Sequence, residues 1–221
     1  MAEVLQITHN VPLSKGRYLT AVEAVVENPD WIFIYAPGAG SNISDPFAIH
    51  AVNKLADQRI SIIRFQFPFS ERGSKSPDSE NVLLESWESV ANSFNRTDQK
   101  IVIGGRSLGG RIASKLTANG YNVDALALFA YPLHAPASPD SLKTEHFDAI
   151  SVPTFFCSGT KDAFGSPEQL KTASSIIKGS LLHLLDSADH GFRGGKKRTQ
   201  VEVWDEAIES FCEWMKTLKA D

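Results

Sequence analysis

The chain has 221 residues, is 42% hydrophobic and carries a formal net charge of −4. That length suits one domain with its own core, and residues 1–221 read as a single unit. The acidic balance offers no basic field for nucleic acid or an anionic membrane surface, and no stretch approaches the ~20 apolar residues of a membrane span.

The first residues, MAEVLQITHN, lack the basic and apolar regions of a secretory leader. Two antiparallel strands are expected over 3–8 and 19–27, near a sheet edge, with Pro12 and Gly16 in the turn between them. Residues 31–36, WIFIYA, are a continuous apolar run of the kind buried in a parallel sheet. The small-residue loop Pro37-Gly38-Ala39-Gly40-Ser41-Asn42 follows. A helix is expected over 45–58, with Pro46 in its first turn. Next come a strand over 61–67, a polar loop over 68–81 and an amphipathic helix over 82–94.

Lys100 to Arg111, KIVIGGRSLGGR, organises the chain. Ile101, Val102 and Ile103 suit a buried strand, and a helix is expected over 109–119. Between them stands G-x-S-x-G, Gly105-Arg106-Ser107-Leu108-Gly109. A serine raised on so sharp a turn needs neighbours without side chains, and a helix beginning beneath it aims free N–H groups at developing negative charge. A bare G-x-S-x-G also describes an ordinary tight turn. The strand before it and the helix after it favour a nucleophile.

Further strands are expected over 123–129, 153–158 and 180–185, with helices over 142–149, 166–177 and 199–219. Alternating strands and helices imply an α/β fold with a mostly parallel twisted sheet and helices on both faces. Active sites in such sheets sit at the carboxyl ends of strands.

A serine hydroxyl needs a base to take its proton, and the base needs an acid to hold its tautomer. Asp162, directly after the strand PTFFC, fits the acid. His190, in the loop after SLLHLL, fits the base. Asp186 and Asp189 are rival acids, but Asp189 adjoins His190 in sequence and is badly placed to grip that ring from behind. An oxyanion hole needs two N–H groups about 3 Å from the charge. Leu108 is one candidate donor and Ala39 the other, with Gly38 or Gly40 as alternatives. Arg106 and Arg111 flank the serine and read first as structural ion pairs. His9 and His50 read as surface residues and His183 as a strand residue. His134 and His146 lie in a loop that should border the pocket.

Cys157 and Cys212 show neither metal spacing nor a disulfide framework and read as small buried apolar residues. No metal or organic cofactor is implied, and a cytoplasmic setting is expected. The basic run at 194–198 reads as a solvated loop.

With these residues in view the chain resembles the small α/β-hydrolases related to dienelactone hydrolase, especially predicted hydrolases grouped with testis-expressed and NSL-complex-subunit hydrolase-like domains. The resemblance rests on PGAGSN, DPF, IIRFQFPF, GGRSLGGR, YPLHAP, TEHF, GTKDAFG and DHGF, in that order. It implies the α/β-hydrolase fold and a triad of Ser107, Asp162 and His190. Two departures stand out. Pro37 occupies a position where the family often has histidine, and serine stands where dienelactone hydrolase itself has a cysteine nucleophile.

About twenty residues separate the strand near Phe129 from the next, too few for a helical cap domain. A shallow open pocket lined by Tyr131, His134 and Phe164 is therefore expected, suited to a small-molecule acyl substrate. The expected activity is hydrolysis of a carboxylic ester or related acyl bond. The alternative is a hydrolase-shaped scaffold or binding protein without turnover. Oligomeric state is left open.

Overall fold

Trp31–Ala36 forms β3, a central strand buried along its whole length, in the computed structural model, which describes residues 4–95, 99–196 and 198–218. Its side chains alternate. Ile32, Ile34 and Ala36 join one core cluster, while Trp31, Phe33 and Tyr35 join the other. A period of two on a strand buried on both faces requires this division.

The strands are β1 (Gln6–Pro12), β2 (Tyr18–Ala24), β3, β4 (Ile60–Phe65), β5 (Lys100–Arg106), β6 (Ala125–Phe129), β7 (Thr154–Gly159) and β8 (Leu181–Leu185). They form one eight-stranded sheet in the order β1-β2-β4-β3-β5-β6-β7-β8. β1 and β2 run antiparallel at one edge, and β3 to β8 are mutually parallel.

The helices are α1 (Pro46–Asp57), α2 (Pro68–Glu71), α3 (Glu80–Phe94), α4 (Leu108–Ala118), α5 (Pro167–Ser174) and α6 (Gln200–Thr217). Helices α3, α4 and α5 cover one face through residues such as Trp87, Ile112 and Leu170. Helices α1 and α6 cover the other through Phe47, Leu55, Phe211 and Met215. Full burial of each such side chain is worth roughly 2 kcal/mol. This is the α/β-hydrolase architecture.

Caps explain where several helices start. The Asp45 carboxylate accepts from Phe47 N, and Ser166 and Thr199 each close a capping box with Gln169 and Glu202. Each of these residues therefore precedes its helix instead of opening it.

Other boundaries move for local reasons. Pro12 ends β1 rather than lying in the turn, which an edge strand tolerates, and the chain reverses at Lys15 and Gly16, both at positive φ. The expected loop at 68–81 begins with α2, which Pro68 opens. The expected helix over 142–149 is a single 3-10 turn, Phe147–Ala149. Lys143 is instead drawn onto the preceding loop: its N–H donates to Leu133 O at 2.7 Å and its carbonyl accepts from Tyr131 Oη at 2.9 Å. Helix α5 ends at Ser174, three residues short of expectation. Glu3, Lys197 and Lys219, within expected elements or runs, lie outside the described residues.

No helix among the described residues is long and apolar enough to cross a membrane. Nothing larger than the 3-10 turn intervenes between β6 and β7, so no cap domain covers the carboxyl end of the sheet at this point.

Candidate active site

Ser107 stands between β5 and α4 with φ 52° and ψ −114°. A non-glycine residue in that region is strained, and the surrounding contacts hold it there. Its N–H donates to Phe129 O at 2.9 Å, and its carbonyl accepts from Arg111 N at 2.9 Å. The neighbouring glycines answer to close packing. A Cβ on Gly105 would lie 2.0 Å from Ala36 O, and one on Gly109 would lie 2.1 Å from the same oxygen. The start of α4 therefore rests directly on the end of β3. Trp87 secures it from α3, donating from Nε1 to Gly109 O at 3.2 Å.

Asp162 and His190 arrive on adjacent loops after β7 and β8. The two loops are stitched together: Lys161 N donates to Ala188 O at 2.8 Å, and Ser187 N to Thr160 Oγ1 at 2.8 Å. Gly159 permits the approach, since a Cβ there would lie 2.1 Å from Ala188 O. Asp162 is buried. Its Oδ1 accepts from Phe164 N at 2.8 Å and its Oδ2 lies 2.8 Å from His190 Nδ1. His190 Nε2 lies 3.0 Å from Ser107 Oγ. An ionised carboxylate only accepts, so Nδ1 carries the ring proton and Nε2 faces the serine as an acceptor. The Phe164 ring lies over the imidazole, with centroids 4.2 Å apart.

The rival acids are engaged elsewhere. Asp189 turns its carboxylate onto its own loop, accepting from Gly191 N and Arg193 N and pairing with Arg193 Nε at 3.1 Å. Asp186 is exposed and accepts from Ser187 Oγ.

A sequence model described as "Alpha/beta hydrolase domain" matches residues 29–216. The chain belongs to the α/β-hydrolase family. No curated protein matches it by sequence. Among solved structures it is similar in fold to Est1E from Butyrivibrio proteoclasticus. That match has a TM-score of 0.78 at 14% identity and covers 97% of this chain and 99% of the other. It is similar to XC6422 from Xanthomonas campestris, described as an α/β serine hydrolase without lid. There the TM-score is 0.74 at 15% identity, with 95% and 94% covered. It is also similar to a dienelactone hydrolase from Anabaena variabilis, with a TM-score of 0.71 at 15% identity and 96% and 99% covered.

In this α/β hydrolase a cavity of about 500 Å³ opens over Ser107. Gly38, Ala39 and Gly40 form part of its wall, and Gly38 lies beside the serine, where a Cβ would be in ordinary contact with Ser107 Cβ at 3.4 Å. Leu108 is the first residue of α4, so its N–H has no acceptor within the helix. Phe164 also lines the cavity.

Tyr131 and His134 do not line it. Tyr131 is 1% exposed, with its hydroxyl spent on Lys143 O. His134 is 5% exposed and bonds Ala135 O through Nδ1 and Gln169 Oε1 through Nε2. Both hold the loop after β6 in place. His146 does similar work, with Nε2 2.8 Å from Ser114 Oγ on α4.

The two arginines differ. Arg111 pairs with Glu80 at 3.6 Å. Arg106 approaches the buried carboxylate of Asp45 at 3.6 Å and is also among the residues that line the cavity. Asp45 was legible only as a helix start. It is also the acceptor for Tyr35 Oη, at 2.7 Å, and burial together with that carboxylate drives the Tyr35 pKa well up, keeping the phenol protonated. Lys161 and Arg193 also line the cavity. The one available clue to Lys161 was its place beside Asp162.

Proposed function

We propose that the protein is a serine hydrolase that cleaves a carboxylic ester or related acyl bond through an acyl-enzyme on Ser107. The observation that most directly supports this reading is the unbroken relay from Asp162 through His190 to Ser107, at 2.8 and 3.0 Å. Ser107 Oγ attacks the carbonyl carbon as its proton passes to His190 Nε2. Asp162 holds the ring and stabilises the imidazolium. The N–H groups of Leu108 and Ala39 receive the oxyanion. Collapse of the tetrahedral adduct expels the alcohol, which takes the proton from Nε2. Water then attacks the acyl-enzyme with His190 again as base, releasing the acid and restoring the serine. The scheme draws on no cofactor.

Within the family, the motifs GGRSLGGR, YPLHAP and TEHF support placing the chain with the hydrolases grouped with testis-expressed and NSL-complex-subunit domains. The test is labelling by a fluorophosphonate probe together with hydrolysis of short p-nitrophenyl esters. Wild type is expected to label and turn over. Equal labelling of Ser107→Ala would remove the assignment.

A further inference from the structure

The protein is acidic overall, yet the cavity over Ser107 is not. Its wall contains three basic residues, Arg106, Lys161 and Arg193, against one carboxylate, that of Asp189. The pairing of these groups decides what charge remains. Arg193 and Asp189 satisfy each other at 3.1 Å. Lys161 is exposed and enters no ion pair among the described residues.

Arg106 is the distinctive group. It directly precedes the serine, and its side chain is 18% exposed. The carboxylate behind it is already committed: Asp45 Oδ1 accepts from Phe47 N and Oδ2 from Tyr35 Oη. Arg106 reaches that carboxylate only at 3.6 Å, beyond a good hydrogen bond. Asp45 thus fixes where the guanidinium sits without consuming its donors. A planar guanidinium with free N–H groups matches a carboxylate in two-point geometry, and Lys161 adds a mobile point charge to the same cavity.

We propose that this cavity selects acyl substrates bearing a second, ionised carboxyl group, which Arg106 and Lys161 receive while the scissile carbonyl lies over Ser107. The inference rests on the hydrolase reading above and adds the substrate class. Cations in a cleft with low-dielectric walls concentrate anionic ligands, and added salt screens that attraction.

The test compares mono-p-nitrophenyl adipate with p-nitrophenyl hexanoate, which match in chain length and differ in the terminal carboxylate. Wild type is expected to favour the anionic ester in kcat/KM by roughly 10-fold to 100-fold, a preference that shrinks in high salt. Arg106→Gln and Lys161→Met should each lower the ratio of the two kcat/KM values several-fold. Lys161→Met guards against misfolding, because Lys161 is exposed. Equal kcat/KM for both esters in a Ser107-dependent reaction would overturn the inference and leave the hydrolase reading intact. Absence of Ser107-dependent turnover and of fluorophosphonate labelling would overturn the hydrolase reading instead. In that case, binding of the same two esters to the Ser107→Ala protein decides the anion site. Roughly tenfold tighter binding of the adipate ester, lost on adding Lys161→Met, supports it, and equal binding removes it.

Discussion

His190 Nε2 lies 3.0 Å from Ser107 Oγ although 83 positions separate them in the chain. That distance already suits proton transfer, so no loop movement is needed to assemble the pair. The ring's second nitrogen is held by Asp162 at 2.8 Å, and this bond selects the tautomer. Asp162→Asn keeps the shape of the acid but presents an amide to Nδ1, favouring the wrong tautomer. Ester hydrolysis is expected to fall on the order of 10⁴-fold in kcat with little change in KM. Steady-state kinetics beside a melting curve checks this, because a loss of fold would lower both together.

The elbow's glycines are a packing requirement. Gly105→Ala and Gly109→Ala each drive a Cβ to about 2 Å from Ala36 O, a backbone atom that cannot move without disturbing β3. Each should cost about 3 kcal/mol or more in stability. Gly40→Ala is the control, because a Cβ there meets nothing within 4 Å. Its stability should stay within about 0.5 kcal/mol of wild type. Denaturant midpoints for the three variants separate packing from a general intolerance of substitution in these loops.

The central strand was readable because a strand buried on both faces has a compositional signature, and Trp31–Ala36 emerges with the expected bounds. Ser107, Asp162 and His190 could be picked out because each follows a strand in a sheet whose carboxyl ends meet at one rim. Tyr131 and His134 could not be assigned correctly from the same logic. Their loop turns inward, and whether such a side chain faces a cavity or the core depends on hydrogen bonds such as Tyr131 Oη to Lys143 O. The cationic wall was hidden for a related reason. Arg106 ends β5 and Lys161 lies in the loop after β7, and no spacing in the chain records that they share a cavity.

The thiols should take no part in turnover. Burial raises the Cys157 thiol well above its ordinary pKa and the Cys212 thiol to about 11. Near neutral pH both remain protonated and sheltered, and the thiolate is the reactive form. Iodoacetamide at pH 7.5 is expected to leave esterase activity unchanged in the folded protein, and to alkylate both cysteines after denaturation. Mass spectrometry of the intact protein under the two conditions measures it. Rapid inactivation matched by alkylation of the native protein would contradict this.

His146 gives the fold an acid-sensitive joint. Burial is the main cause lowering its pKa from the ordinary 6.5, with Glu145 and Glu80 opposing the shift and Lys115 and Arg111 assisting it. The unfolded chain therefore binds this proton more readily than the folded one. The associated stability is intact above 6.5 and is lost as pH falls through that value toward the lower folded pKa. Melting temperature should drop between pH 7.5 and 5.5, and the drop should be smaller in His146→Gln, which removes the titrating group. Equal drops in the two proteins would exclude His146 as the source.

Phe164 links the acid, the base and the cavity. Its N–H donates to Asp162, its ring lies 4.2 Å from the His190 ring, and it lines the space over Ser107. The main-chain bond survives substitution, so Phe164→Leu tests the ring alone. An aromatic contact of this kind contributes about 1 kcal/mol beyond area burial, which corresponds to roughly fivefold if it acts on the position of the imidazole. We expect a loss of that size in kcat with short neutral esters, with Phe164→Tyr recovering most of it and both variants melting near wild type. The half-buried position of Phe164 makes a large loss of stability unexpected. If Phe164→Leu changed only KM, the ring would be a wall for substrate and no brace for His190.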